Sequence, residues 1–273
     1  MNPFSLFKSS HIKPSWTFSA QSTLWRLHFG GEKIIGEDRN VDTRSVQFFC
    51  LNEQDGKIIW NENSFGEQWW IGIEAILGNR LYLHGFKKPD MPEHKKIICA
   101  DIETGNELWR NNDVAFWSAD ENFVFAFKEL FERRVYYKLN AFTGEIIEEF
   151  QNEPSEHHSE DLSAFAFPQP LSQHSDNYQL ILKTAEQMFT HFQNINNCEY
   201  VIHDSFLIIN IYTVEKEQSL KNRLFVFNTQ NKKQLFTEIL NHQTPYQVPD
   251  SFFLRNSKLY FIMERKTLVA IQL

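Results

Sequence analysis

The feature that most constrains this chain is the spacing of its tryptophans from the turns that precede them. In "CADIETGNELW", Trp109 follows Gly105 by four residues, Asp101 by eight and Cys99 by ten. The segment "CLNEQDGKIIW" sets Trp60 behind Gly56, Asn52 and Cys50 at the same offsets. In "YYKLNAFTGEIIE", Asn140 and Gly144 keep their places and Glu148 takes the Trp position. "LFVFNTQNKKQLF" keeps Asn228, has Lys232 where Gly stood, and ends on Phe236. Near the N-terminus only the Trp end survives, as Trp16 in "KPSWTF".

Each copy reads as a hairpin. A strand rich in β-branched and aromatic residues runs into Asn or Asp, whose side chain accepts hydrogen bonds from backbone amides two residues on. Gly follows where the chain needs positive φ, and a short apolar strand leaves toward the Trp. The Trp positions 16, 60, 109, 148 and 236 lie 44, 49, 39 and 88 residues apart, the last interval being two periods long. One degenerate copy is therefore expected near residue 192, and the two chain ends together supply one more. Hairpin repeats of this period are the pattern of propeller blades.

The spacing thus predicts an all-β chain, a six-bladed β-propeller of four-stranded antiparallel blades, as one domain over residues 1–273. The blades fall near residues 22–62, 69–111, 114–151, 160–196, 198–239 and 245–273. Residues 14–20 complete the last one, so that N- and C-terminal strands pair, close the disc and cover two open edges. The fourth blade is irregular, with "SAFAF", "YQLILKT" and "MFTHF" offering three strands instead of four.

Ala100, Asp101, Thr104, Gly105 and Trp109 together resemble the repeat of the pyrroloquinoline-quinone (PQQ) type propellers, in which the Trp packs between neighbouring blades. The phrases "EQWWIGIE" and "HGFKKPDMPEHKKIICADIETGNELW" are similar to an uncharacterised bacterial domain family of this type, a resemblance that implies no particular activity. Quinone-dependent dehydrogenases of the first family have more blades, are exported, and use adjacent cysteines with calcium ligands. This sequence has no Cys-Cys pair, so the resemblance does not carry PQQ or Ca²⁺ with it, and neither cofactor nor metal is expected.

A net charge of −8 argues against a polyanionic partner, so nucleic acid is not expected. The longest apolar run, Phe206 to Tyr212, is too short to span a bilayer. "MNPFSLFKSSHIKPSW" lacks the apolar core of an export signal, and Cys50, Cys99 and Cys198 are widely spaced and odd in number. Both features point to a cytoplasmic protein with reduced thiols.

Strand order selects a face. In a blade a-b-c-d, the a–b and c–d turns share one side and the b–c and d–a connections share the other. The b–c connections Asp38–Ser45, Phe86–Lys95 and Glu215–Asn222 read as the long ones, and long loops on a rigid frame usually carry binding. Three clusters map there. "GEDRN" brings Glu37, Asp38 and Arg39; "GEQWW" brings Glu67, Trp69 and Trp70, with Glu74 shortly after. "HGFKKPDMPEHKK" brings His84, Asp90, Glu93, His94 and Lys95. Each has a plainer alternative: Trp69 or Trp70 filling the space between blades, Glu37 and Arg39 pairing with each other, His94 solvated on its loop. The adjacent His157 and His158 read as an exposed loop and not as ligands.

No Gly-x-Ser-x-Gly, P-loop, His-Glu-x-x-His or dinucleotide fingerprint occurs. The reading is a non-catalytic binding or scaffold propeller that engages a protein or small polar ligand on the long-loop face. The alternative is an enzyme, either quinone-dependent or a hydrolase using Glu37, Asp38, Glu67 or Glu74 with His84 or His94.

Overall fold

Antiparallel hairpins joined in chain order build the molecule. The computed structural model describes residues 12–87, 93–131, 133–154, 162–181, 183, 198–214, 219–231, 233–248 and 250–273. They divide into two compact units, Ala20–Asp161 and the pair of segments Met1–Ser19 and Leu162–Leu273. Among the described residues no helix is long and apolar enough to cross a membrane.

After β1 (Trp16–Ser19), the unit Ala20–Asp161 carries three four-stranded sheets, each a meander. The first holds β2 (Thr23–Gly30), β3 (Lys33–Asn40), β4 (Ser45–Asn52) and β5 (Ile58–Asn63). The second holds β6 (Ile71–Leu77), β7 (Arg80–Phe86), β8 (His94–Asp101) and β9 (Glu107–Asn111). The third holds β10 (Ala115–Ala119), β11 (Phe123–Glu129), β12 (Arg134–Asn140) and β13 (Ile146–Phe150). Middle strands are buried on both faces, as in "IICA" of β8, while outer strands such as β13 are exposed along most of their length. Meanders of this kind are the units from which propellers are assembled.

The repeated turn is chemically the same in four sheets. Asp101 Oδ1 accepts from the amides of Glu103 at 3.0 Å and Thr104 at 2.8 Å. Asn52, Asn140 and Asn228 hold the amides two and three residues on in the same way, at 2.8–3.3 Å. The Trp then locks one sheet to the next. Trp60 Nε1 donates to the carbonyl of Ile102 at 2.8 Å, and Trp109 Nε1 to that of Ala141 at 3.0 Å, each acceptor directly following the Asp or Asn of the neighbouring turn. The indoles lie flat against the turn glycines. A Cβ on Gly105 would stand 2.8 Å from the Trp60 ring, and one on Gly144 2.5 Å from the Trp109 ring, at φ of +70° and +71°. Glu148, in the third Trp position, is exposed and makes no such contact with a following turn in this unit.

The other unit contains two five-stranded sheets. One joins β15 (Gln169–Pro170), β16 (Cys198–His203), β17 (Phe206–Val214), β18 (Leu220–Asn228) and β19 (Lys233–Thr244). The other runs β1, β22 (Thr267–Gln272), β21 (Lys258–Met263), β20 (Phe252–Arg255) and β14 (Phe165–Ala166). The expected pairing of the chain ends is present: Trp16 stands opposite Ala270 and Ser19 opposite Thr267, antiparallel. Phe236 fills the Trp position of β19 and packs against Phe261.

Three expectations are corrected. "SAFAF" does not start a separate fourth blade; its two strand residues extend β20, and Gln169–Pro170 extend β16. "YQLILKT" is not a strand, because residues 178–181 are helical. There Tyr178 and Ile181, three apart, turn inward against Leu171 and Cys198 while Leu180 stays exposed, a helical spacing inside an apolar run. "MFTHF", His157, His158 and Asp90 lie outside the described residues, among which there are five sheets. Asp38–Ser45 is not a long loop either, since β3 runs on to Asn40 and β4 begins at Ser45.

Cys50 and Cys99 stand in equivalent register, opposite Trp60 and Trp109 in their own sheets, and all three cysteines are free and buried. Burial pushes each thiol up to about 12. A thiol reagent at pH 8 should therefore leave the native protein unlabelled and modify three residues after denaturation; fast native labelling of Cys50 or Cys99 would contradict this packing. The interlock makes a second prediction. Trp109→Phe, which strands the buried Ala141 carbonyl, should cost about 1–3 kcal/mol in urea unfolding. Gly144→Ala should cost more than about 1 kcal/mol, and Glu148→Ala almost nothing.

Candidate functional site

Three consecutive strands of the second sheet each deliver one polar side chain to the same end of that sheet. Glu74 comes from β6, at a bulge where the pairing with β7 skips from Ile73 to Ala75. His84 comes from β7, opposite Gly72, and His94 opens β8, opposite Phe86. The two imidazoles stack with centroids 3.5 Å apart and planes 7° from parallel. Glu74 Oε2 lies 2.5 Å from His84 Nδ1 and 3.0 Å from His94 Nδ1. His84 is buried, His94 is about a third open to solvent, and the exposure of Glu74 is intermediate.

Local sequence explains why the rings fit. A Cβ on Gly72 would stand 3.0 Å from His84 Cε1 and Nε2, so a larger residue there would press the ring out of its place by a few tenths of an ångström. On the far side Phe86 meets both imidazoles edge-on, at 5.1 Å and 5.5 Å, and Trp70 meets Phe86 at 5.8 Å. Burial pushes the Glu74 carboxyl up, but close contact with both imidazoles outweighs it and holds the group at about 2. Burial also moves His84 below the ordinary imidazole value, against the pull of Glu74. Glu74 is thus a fixed carboxylate, and the buried ring favours its neutral form.

Glu37, Asp38 and Arg39 are not loop residues facing solvent. They lie within β3 and are buried, because each answers a polar group of its surroundings. Arg39 Nε donates to Glu37 Oε2 at 2.8 Å, Nη1 donates to the Trp69 carbonyl at 2.8 Å, and Nη2 to that of Ile71. Glu37 Oε1 accepts from the Ile73 amide at 3.3 Å. The guanidinium lies 4.9 Å from the Trp69 ring and 5.9 Å from Trp25. The pair therefore latches the first sheet to the leading strand of the second. Asp38 accepts from the amides of Gln21 at 2.7 Å and Ser22 at 2.9 Å, closing the approach to β2.

The remaining expected residues divide. Trp70, Glu74, His84 and His94 come together, and Trp69 stacks on Arg39 instead. Glu93 pairs with Lys87 at 2.7 Å, and its carbonyl accepts from the Lys87 amide at 2.9 Å, so it ties the ends of the β7–β8 connection. Lys95 is exposed. Glu67 forms an ion pair with Lys96. The sequence reading missed Phe86 and Gly72. Gly72 carried a signal: a glycine within the strand run "IGIEAIL" marks close approach by another group.

The family described as a domain of unknown function (DUF4905) matches residues 30–109, the stretch that contains the cluster. No curated protein matches the chain. Among solved structures, the β-propeller domain of the Trilobed protease from Pyrococcus furiosus is similar at 11% identity and a TM-score of 0.34, covering 89% of this chain and 64% of that one. An acylaminoacyl peptidase from Pyrococcus horikoshii is similar at 9% identity and 0.32, covering 88% of this chain and 35% of its own. A dihydro-heme d1 dehydrogenase in complex with DHE follows at 8% and 0.32, with 81% and 38% covered. The chain spans less than two thirds of the length of each of these.

The latch gives a test of the structural assignment. Arg39→Met leaves Glu37 buried without its partner and should cost about 3–5 kcal/mol in urea unfolding, much of it recovered by adding Glu37→Leu. An unmoved midpoint would return both residues to the list of ligand contacts.

Proposed function

We propose that the chain is a binding protein of the β-propeller class, without catalytic activity, that takes a small polar ligand or a protein segment at the b–c end of its second sheet. The observation that carries this reading is the convergence of Glu74, His84 and His94 beside Phe86 and Trp70. A fixed carboxylate, two imidazoles and aromatic edges, partly open through His94, suit a polar ring compound or an extended peptide. Strands hold every member except Trp70, and the Glu37–Arg39 latch braces the frame next to it. The proposed setting is cytoplasmic, with no nucleic acid, PQQ or calcium involved.

Hydrolysis is the second reading. A carboxylate held next to two imidazoles, one of them partly exposed, is an arrangement that can exchange protons with a substrate. Thermal-shift measurements against a panel of sugars, amino acids and dicarboxylates test the first reading. A ligand should raise the midpoint of the unmodified protein and of Glu103→Ala, and leave His94→Ala and Trp70→Ala unmoved. Capture that survives in both site variants would place binding elsewhere. Turnover of ester or glycoside probes that vanishes in His94→Ala would favour hydrolysis.

A further inference from the structure

We propose that Glu74, His84 and His94 form a site for one divalent transition-metal ion. One donor comes from each of three adjacent strands, and their ligand atoms all lie within 4.8 Å of one another. Two imidazole nitrogens and one carboxylate oxygen suit zinc, iron, cobalt or nickel in the divalent state, and they are a poor match for calcium or magnesium, which take oxygen ligands. The departure from the sequence reading, which expected no metal, comes from strand register alone.

The polar contacts inside the cluster converge on one carboxylate oxygen. Glu74 Oε2 stands 2.5 Å from His84 Nδ1 and 3.0 Å from His94 Nδ1, so a single oxygen faces both rings. His84 is 2% exposed, so its ring is shielded from bulk solvent. A cation between these groups would draw on donors that already face one another. Metal–nitrogen and metal–oxygen bonds of about 2.0–2.2 Å keep neighbouring tetrahedral donors about 3.3–3.6 Å apart. From the observed separations of 2.5 Å and 3.0 Å, binding requires the carboxylate to move outward and the imidazoles to turn out of their parallel stack.

The surroundings fit as well. Metal-bound histidines commonly offer their other nitrogen to a carboxylate. The Cβ position of Gly72 lies 3.0 Å from His84 Nε2 and 3.6 Å from Glu37 Oε1, so the Glu37 carboxylate lies in the neighbourhood of that ring nitrogen. Three protein ligands leave a fourth position open, and His94, at 35% side-chain exposure, marks the side from which an ion or a ligand would arrive.

The proposal deepens the binding reading of this cluster and rests on it, with the ion as the point to which a polar ligand attaches. The test is titration of the chelator-treated full chain with Co²⁺ and Zn²⁺, followed by cobalt absorption and calorimetry. One equivalent should bind saturably. His94→Ala and Glu74→Gln, each checked for an unchanged circular dichroism spectrum, should bind at least about tenfold more weakly. If Glu74→Gln does not fold, His94→Ala decides alone. The double variant His157→Ala/His158→Ala should bind as the unmodified chain does. Absence of saturable binding, binding undiminished in the folded site variants, or binding lost with His157 and His158 would each overturn the site. A panel ligand that still raises the midpoint of chelator-treated protein would preserve the binding reading while the metal fails. Metal binding without any panel ligand would preserve the metal site alone.

Discussion

Everything in the unit Ala20–Asp161 depends on an indole lying on a glycine. Trp60 and Trp109 each cover the turn of the following sheet and donate their one polar hydrogen to a carbonyl there. Burying an aromatic of this size removes about 150–250 Å² from water, which at ~25 cal/mol per Å² is at most about 4–6 kcal/mol. The hydrogen bond adds direction. An apolar contact alone would let neighbouring sheets slide; a single donor facing a single acceptor fixes how far one sheet advances past the next. The Asn or Asp of the turn serves the same end, because its two amide bonds aim that carbonyl outward.

The interlock acts at the tight-turn end of the sheets, and the Glu37–Arg39 pair acts near the opposite end. Arg39 reaches across to the carbonyls of Trp69 and Ile71, backbone groups at the start of the second sheet. The second sheet is thus pinned to the first at both ends of its length. The cluster of Glu74, His84 and His94 is built on the strands of that second sheet. The charged residues that look most like a binding site tie sheet to sheet, and the cluster of Glu74, His84 and His94 lies in the next sheet.

The sequence displayed the hairpins because their causes are local: an Asx residue, a positive-φ glycine and an aromatic at fixed offsets. It also displayed the pairing of the chain ends, since an unpartnered "SWTFS" matches the open edge of "LVAIQL". Where the causes are distant it misled. Glu37, Asp38 and Arg39 look like a loop because three charges interrupt an apolar run. They are buried because backbone groups elsewhere, at Gln21, Trp69 and Ile73, need partners, and no local pattern announces that need. Tyr178 and Ile181 were concealed by their apolar neighbours, which blur a three-residue spacing into what resembles a strand. Glu74, His84 and His94 are ten residues apart in turn. That distance acquires meaning only through the bulge at Glu74 and the register that sets His94 opposite Phe86.

The strand β1 bonds to β22, with Ser19 and Thr267 side chains 2.9 Å apart across 248 residues of chain. This has a consequence for the order of events at the ribosome. Residues 20–161 are continuous and can close their contacts as they emerge. The other unit cannot, because one strand of its last sheet precedes residues 20–161 and the strand it pairs with follows them, 248 residues on at Ser19 and Thr267. Until β22 is made, β1 lacks the strand it bonds to in the finished sheet. Completing this sheet is a long-range closure of the kind that slows folding. The step most open to misassembly is therefore the one that joins two strands separated by the whole of residues 20–161 and more.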